Sequence, residues 1–209
     1  MAPHCACVAR HDPPLVAVTG GPGAGKTAVL ELVRRHFCHH VVVLPEAASI
    51  VYGGGFPRHA GDACRRAAQR AIFHVQRALE SMAVDEGEAA VVLCDRGTID
   101  GLAYWPGDPA EYWAGIGSTH AAELARYAAV VHLRTPSSSS GYDQRNVLRI
   151  ETSDEAHAID ERIGAVWAAH PRRFEIASDP DFYRKAGHAI AVVSQLLPAC
   201  CRQTGHGAC

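Results

Sequence analysis

A glycine-rich segment, residues 20–27, has the residue types and spacing needed to bind phosphate groups. It reads Gly-Gly-Pro-Gly-Ala-Gly-Lys-Thr, after an apolar run and before a helical pattern. Glycines let backbone N–H groups face phosphate oxygens, and a helix start adds a positive dipole end. We therefore expect a nucleoside triphosphate site, with Lys26 on the β- and γ-phosphates and the Thr27 hydroxyl on Mg²⁺. The residues expected to contact the nucleotide are Gly20, Gly21, Pro22, Gly23, Ala24, Gly25, Lys26, Thr27 and Ala28.

Asp95 follows an apolar run at 90–94 and is expected to lie near this loop. Ligands of open parallel sheets bind outside the carboxyl ends of the strands. An acid at such a strand end commonly holds Mg²⁺, directly or through water. The alternative is that Asp95 caps a helix beginning near Thr98. Arg96 comes next in the chain and could face the phosphates.

Glu46 follows another apolar run, at 41–44, and is expected in the same crevice. A carboxylate there could take the proton of a substrate hydroxyl as that hydroxyl attacks the γ-phosphate. The alternatives are a helix cap or a structural partner for Arg58 or Arg96.

The rest of the chain alternates apolar strands with helices, which predicts an α/β fold. We expect a three-layer α/β/α sandwich around a five-stranded parallel sheet, with strands at 15–19, 41–44, 90–94, 129–133 and 174–177. Helices are predicted at 28–37, 62–84, 99–105, 121–127, 155–168 and 181–197, and a loop at 106–118. The single domain is expected to cover 14–198, between a flexible tail at 1–13 and a cysteine-containing tail at 199–209.

A serine-rich segment after the fourth predicted strand indicates a mobile lid at about 134–155. It carries Arg134, Arg145 and Arg149. Arginines that close over the γ-phosphate neutralise charge as the phosphoryl group transfers, so Arg145 and Arg149 are candidate catalytic residues. The alternative is a solvated loop with ordinary surface charge.

Composition narrows the classes of partner. With 20 basic and 22 acidic residues the net charge is −2, which argues against general nucleic-acid binding. No apolar run reaches the roughly 18 residues of a membrane-spanning helix. The N-terminus lacks the apolar core of a signal peptide, so a cytoplasmic location is expected. Only Lys26 and Lys185 are lysines, which suggests that each stands where a compact ammonium is needed.

The 8 cysteines show no Cys-x-x-Cys pair, and free thiols are expected. Several of them lie near the two ends of the chain, where they could bind metal or cross-link on oxidation. Residues 36–40 read His-Phe-Cys-His-His, so a zinc site is conceivable there. An exposed helix end is the favoured interpretation, because no second group of ligands has matching spacing.

Missing motifs exclude several classes of nucleotide-binding protein. The Asn-Lys-x-Asp motif of Ras-type GTPases and the Leu-Ser-Gly-Gly signature of ABC proteins are absent. Motor ATPases usually end this strand with an acidic pair, whereas Asp95 is followed by Arg96. A small domain with this Asp-Arg pair is typical of a nucleoside or small-metabolite kinase.

The ordered motifs of the chain resemble a family of bacterial AAA-type ATP-binding proteins. That family is grouped with the ribosylnicotinamide kinase domain and with the N-terminal domain of the eukaryotic TRPL translocation defect protein. The resemblance covers about residues 14–198. It rests on 19–27, Pro45-Glu46-Ala47-Ala48, Gly55-Phe56-Pro57-Arg58, Asp95-Arg96-Gly97, Tyr142-x-x-x-Asn146-x-x-Arg149-x-Glu151, Asp160 and Trp167-x-x-His170-Pro171.

The resemblance implies a nucleoside-kinase-like fold, nucleotide binding and Mg²⁺. By motif, Glu46 matches the acid that acts as base in deoxynucleoside kinases, and Asp95-Arg96 resembles their acid-Arg motif. Arg58 lies where those enzymes carry substrate-contacting residues. The resemblance also keeps a second possibility open, because the fly member of the group is a GTP- and phosphoinositide-binding regulator.

The function expected is therefore transfer of a γ-phosphate from ATP or GTP to the hydroxyl of a small, nucleoside-like substrate. The expected roles are catalysis by Lys26, Glu46, Asp95, Arg96, Arg145 and Arg149, substrate binding by Glu46, Arg58 and Arg96, and Mg²⁺ binding by Thr27 and Asp95. The alternative is a nucleotide-dependent switch that binds a protein or a phosphoinositide without kinase turnover. A third, weaker alternative is an NTPase that transfers phosphate to water.

Overall fold

The fold is built on a sheet of five parallel strands in the order β2–β3–β1–β4–β5. The computed structural model describes residues 5, 7–136, 152–179 and 181–202. The strands β1 to β5 are Leu15–Thr19, Val41–Leu44, Val91–Asp95, Tyr127–Leu133 and Arg173–Ile176. The central strands are almost wholly buried and rich in Val, Leu and Ala, as a parallel sheet covered on both faces requires.

Helices cover both faces of the sheet. In the described part of the chain, α1 to α9 are Lys26–His36, Ala47–Gly53, Asp62–Glu86, Asp100–Ala103, Pro109–Ile116, His120–Leu124, Ser153–Val166, Phe182–Leu196 and Ala199–Arg202. On one face, Val29 of α1 and Val193 of α8 pack in a single buried cluster with the sheet. On the other face, Ala83 of α3 and Ile163 of α7 pack in a second buried cluster. The predicted three-layer α/β/α sandwich is confirmed.

The strand order brings the predicted site segments to one edge of the sheet. Val18 in β1 pairs with Asp95 in β3, so the glycine-rich loop and Asp95 leave the sheet side by side. Leu44 in β2 pairs with Cys94, which places Glu46 beyond the same edge. The end of β4 lies on the other side of β1. The loop is thus flanked by segments distant in sequence.

The predicted loop over 106–118 is wrong, because residues Pro109–Ile116 form α5. The Asp108 side chain caps this helix by accepting a hydrogen bond from the Ala110 N–H at 2.8 Å. Proline in the first turn loses no hydrogen bond, since that N–H has no partner within the helix. Proline and glycine here start and end a helix rather than mark a loop.

The two ends of the chain contact the body of the domain. Cys5 and Cys7, within the expected N-terminal tail, pack against the buried cluster on the α1 face. Within the expected C-terminal tail, residues Ala199–Arg202 form α9 and Cys201 is buried. The predicted lid residues 137–151, with Arg145 and Arg149, lie outside the described residues.

In the described part of the chain, no helix combines the length and the apolar character needed to cross a bilayer.

Candidate active site

The glycine-rich loop connects β1 to α1 and closes around the Lys26 ammonium. Lys26 Nζ donates hydrogen bonds to the carbonyl oxygens of Gly20 at 2.9 Å and Gly21 at 3.1 Å. Gly20 has a φ of 141°, and a Cβ at this position would collide with the Leu133 carbonyl oxygen. Burial and the positive charge of Arg96 lower the pKa of Lys26 to about 8. The loop therefore holds a buried cation beside a row of backbone groups.

Asp160 of α7 anchors the loop from one side. Its Oδ1 atom accepts a hydrogen bond from the Gly21 N–H at 2.8 Å and lies 2.9 Å from His132 Nε2. Its Oδ2 atom lies 3.2 Å from Arg134 Nε. Burial opposes its ionisation, but the hydrogen bonds from His132 and Gly21 and the charge of Arg134 prevail and lower the pKa of Asp160 to about 2. An ionised, buried carboxylate thus fixes the loop backbone.

Lys185 of α8 anchors the loop from the other side. Its Nζ donates hydrogen bonds to the Ala24 carbonyl at 2.8 Å and to the Arg134 carbonyl at 2.7 Å. Lys185 is buried, and burial lowers its pKa to about 8. Both lysines of the chain therefore contact the loop or its support, which agrees with the special positions inferred from composition.

Arg96 connects Glu46 to the loop. Its Nε donates to Glu46 Oε1 at 2.8 Å, and its Nη1 donates to the Gly20 carbonyl at 3.2 Å. Ser49 also donates to Glu46, at 2.6 Å. Burial raises the pKa of Glu46, but the Arg96 charge and these hydrogen bonds outweigh burial and lower it to about 2. Glu46 occupies the N-cap position of α2 without a capping hydrogen bond, so its partner is Arg96.

Arg96 adopts a φ of 74°, a left-handed conformation that non-glycine residues rarely take. Such a conformation costs on the order of 1–3 kcal/mol and persists where the surroundings enforce it. Here the Arg96 N–H donates to the Val18 carbonyl at 3.0 Å, and the side chain reaches Asp100 Oδ2 at 3.4 Å. The strained backbone therefore directs the guanidinium between the loop and the two carboxylates, Glu46 and Asp100.

Asp100, in α4, positions the Arg96 side chain. Its Oδ2 accepts a hydrogen bond from Thr19 Oγ1 at 2.5 Å, and its Oδ1 accepts one from Trp167 Nε1 at 2.5 Å. Asp100 and Trp167 are both buried. The indole of Trp167 is thus part of the support for Arg96.

The surroundings of one Asp95 carboxylate oxygen indicate a ligand site. Its Oδ1 atom is buried and has no hydrogen-bond partner among the described residues. Burial raises the pKa of Asp95, and the negative charges of Glu46 and Asp100 add to this while Lys26 opposes it. The N-cap of α4 is Ile99, so Asp95 does not cap that helix. A carboxylate here and the exposed Thr27 hydroxyl at the start of α1 are oxygen donors of the kind that suit Mg²⁺.

Two predicted arginines have other surroundings. Arg58 is exposed, and its guanidinium carbon lies 5.0 Å from the centre of the Tyr52 ring. Arg134, directly after β4, forms ion pairs with two carboxylates of α7, those of Asp160 and Glu161, and with Glu175 of β5. Arg134 therefore belongs to the support of the loop.

Sequence reasoning missed the roles of three residues, Asp100, Asp160 and Lys185. Asp160 had a usable signal, since an acid between the buried Ile159 and Ile163 lies on the apolar face of its helix. Such a residue is seldom buried without a partner. Lys185 was marked by composition alone, and Asp100 carried no signal beyond its position after Asp95.

The strand order, the loop and its lysine define a P-loop protein with a kinase-like α/β fold. A structure of NadR protein in complex with NR matches with a TM-score of 0.69 and 18% identity, over 90% of this chain and 52% of that chain. NadR protein in complex with NAD and AMP-PNP gives 0.62 and 17%, over 88% and 49%. Thymidylate kinase from Candida albicans gives 0.55 and 11%, over 88% and 93%. This chain thus spans about half the length of the NadR chains.

The sequence model of the AAA domain family matches residues 15–185, and the chain belongs to that family. No curated protein sequence matches the chain significantly. The family and the neighbouring structures confirm the predicted P-loop class and its nucleoside-kinase-like fold.

Proposed function

We propose that this protein is a phosphotransferase that moves the γ-phosphate of ATP or GTP to a hydroxyl of a small, nucleoside-like molecule. The observation that carries the proposal is the position of Glu46, which Arg96 holds beside the phosphate loop through its bond to the Gly20 carbonyl. The kinase-like fold shared with NadR and thymidylate kinase supports the broader class, phosphoryl transfer.

The nucleotide would bind along residues 20–28, with backbone N–H groups directed at its phosphates. Lys26 now donates to the carbonyls of Gly20 and Gly21. Phosphate oxygens would replace these carbonyls as acceptors and favour the charged ammonium. Asp160 and Lys185 would keep the loop backbone in place during this exchange by holding Gly21 and Ala24.

Thr27 and Asp95 are the residues that would hold Mg²⁺. The unpartnered Asp95 oxygen supports this assignment. When bound, Mg²⁺ neutralises charge on the β- and γ-phosphates.

Glu46 orients the acceptor hydroxyl and receives its proton. A carboxylate with a pKa of about 2 is fully ionised near neutral pH, so it is a good hydrogen-bond acceptor and a weak base. A weak base suffices, because phosphoryl transfer has a loose transition state with little bond formation to the nucleophile. As the bond to the leaving nucleoside diphosphate (ADP or GDP) breaks and the new P–O bond forms, the hydroxyl proton passes to Glu46.

Arg96 would bind the acceptor and stabilise the transferring phosphoryl group, and Arg58 would contact the acceptor from the loop after α2. Arg145 and Arg149, which lie outside the described residues, are proposed to approach the γ-phosphate from the lid.

The test compares Glu46→Gln with Glu31→Gln, the same change on a half-exposed acid of α1 that contacts Arg35. Transfer from γ-labelled ATP and GTP is measured against a panel of nucleosides, and nucleotide affinity is measured by calorimetry. We expect Glu46→Gln to lower kcat by about 100-fold, a typical effect for a proton acceptor, with an unchanged Kd for the nucleotide. Glu31→Gln is expected to behave as the unaltered protein.

Unaltered kcat in Glu46→Gln would overturn the role of Glu46. Tight nucleotide binding by the unaltered protein, without transfer to any hydroxyl, would favour the nucleotide-dependent switch.

A further inference from the structure

Four metal-binding side chains from three separate parts of the sequence meet at the amino end of the sheet. Cys5 comes from the N-terminal segment, Cys38 and His40 from the connection between α1 and β2, and Cys201 from α9. The three sulfur atoms and one imidazole nitrogen all lie within 4.8 Å of one another. Cys38, His40 and Cys201 are buried, and Cys5 is half-buried.

The distances within this cluster fit tetrahedral zinc. His40 Nδ1 lies 3.1 Å from Cys5 Sγ, 3.6 Å from Cys201 Sγ and 3.9 Å from Cys38 Sγ. With Zn–S near 2.3 Å and Zn–N near 2.0–2.1 Å, a tetrahedral site separates sulfur from nitrogen by about 3.6 Å. All three sulfurs surround the same nitrogen at about this spacing, as ligands of one central ion would.

We propose that Cys5, Cys38, His40 and Cys201 form a structural zinc site that fastens both ends of the chain to the α1–β2 connection. Three thiolates and one imidazole are a known structural donor set for zinc, and sulfur ligands disfavour Mg²⁺ and Ca²⁺. Four protein ligands in a largely buried position leave no site for a substrate. Binding displaces the three thiol protons, so metal uptake releases acid.

The backbone around His40 is already fixed. The His40 carbonyl accepts a hydrogen bond from the N–H of Ala90, the residue before β3, at 2.7 Å. The Cys38 carbonyl accepts one from the Val41 N–H at 3.0 Å. Two of the four ligands therefore stand on a connection fixed by backbone hydrogen bonds, and Cys5 and Cys201 complete the set.

A second set of four residues shares part of this cluster. Cys7 and His11 form a set with His40 and Cys201, and the four ligand atoms of this set also lie within 4.8 Å of one another. The first set is favoured because it has three buried members against two, and because its three sulfurs share one nitrogen. The two sets differ in two members, Cys5 and Cys38 in the first and Cys7 and His11 in the second, which makes them separable by single substitutions.

The test uses the full chain, reduced and stripped of metal, and titrates it with Co²⁺ and then Zn²⁺. We expect one Co²⁺ per chain, with an intense thiolate-to-cobalt absorption band that Zn²⁺ abolishes, and a higher melting temperature with metal. Cys38→Ser and Cys5→Ser should each weaken the band by about a third, in proportion to the thiolates that remain. Cys64→Ser is the matched control, since Cys64 Sγ donates to the Pro57 carbonyl.

Cys7→Ser should leave the band unchanged. If Cys7→Ser weakens the band and Cys5→Ser does not, the proposed ligand set is overturned in favour of the second one. A cobalt complex without a thiolate band, or the same loss in Cys64→Ser, would overturn the site altogether. The presence or absence of the thiolate band is measured on the unaltered protein, so this part of the test does not depend on folding of the variants.

Discussion

The two ends of helix α1 carry opposite kinds of chemistry. At its N-terminal end, Lys26, Asp95 and the loop backbone present charges and oxygen atoms suited to phosphate and Mg²⁺. Beyond its C-terminal end, Cys38 and His40 contribute sulfur and imidazole to a cluster suited to zinc. The helix has 11 residues and is about 16 Å long, so the two groups are well separated.

The two sites differ in how their residues are distributed along the sequence. The phosphate loop is a contiguous segment, because backbone N–H groups of successive residues do the binding. The zinc cluster is assembled from positions 5, 38, 40 and 201, which only the fold brings together. A rule based on ligand spacing therefore finds the first and rejects the second.

The largest expected effect comes from Lys26→Ala. The variant loses the cation that faces the phosphates, and we expect affinity for the nucleotide to fall by about 100-fold, as for the loss of charge-assisted hydrogen bonds. Calorimetric titration with ATP and Mg²⁺ measures it. Arg35→Ala removes an exposed cation from the same helix, one that contacts Glu31 at 2.9 Å, and should bind as the unaltered protein does. Equal losses in both variants would mean that net charge, rather than the loop, attracts the nucleotide.

An intermediate effect is expected from Asp160→Asn, which tests the support of the loop. The pKa of Asp160 is about 2, below its ordinary value of 3.8, so its ionised form favours the folded state. Stabilisation of about 2 kcal/mol is therefore present above about pH 4 and is lost as the pH falls toward about 2. Urea unfolding should show Asp160→Asn less stable by this amount at neutral pH, with the difference shrinking in acid.

Asp154→Asn provides the control for that measurement, because Asp154 is an exposed acid in the first turn of the same helix. It should change the free energy of unfolding by less than about 0.5 kcal/mol. A difference between Asp160→Asn and the unaltered protein that stays constant from neutral to acid pH would exclude the proposed ionised state.

The smallest expected effect concerns the two sites at opposite ends of α1. A change in one site should leave binding at the other unaltered. Cys201→Ser should weaken metal binding while nucleotide affinity stays within about twofold, since sites this far apart usually act independently. Lys26→Ala should likewise bind zinc at the cysteine cluster as the unaltered protein does. Metal content and nucleotide Kd, measured on the same two variants, check both statements. Nucleotide affinity that follows metal content would show that the helix transmits a change between its ends.

The fold was largely predictable because buried parallel strands are apolar runs of four or more residues, and the five predicted strands match within about two residues. Helix α5 is not predicted, because proline and glycine are typical of loops, whereas Pro109 and Gly117 occupy its first turn and its C-cap. The phosphate loop, Glu46 and Asp95 were predictable as strand-end residues. The pattern of α7 could have marked Asp160 as buried, but not its bond to Gly21, and Asp100 carried no such signal, because these contacts depend on packing between α4, α7 and β1.

Phosphate transfer by the unaltered protein tests the central claim most directly. Protein with Mg²⁺ and γ-labelled ATP or GTP is incubated with a panel of nucleosides, and the labelled products are separated. The account predicts that label appears on a hydroxyl of at least one nucleoside-like acceptor, faster than it appears as inorganic phosphate. Label found only in inorganic phosphate, or bound nucleotide with no transfer at all, would contradict the assignment as a phosphotransferase.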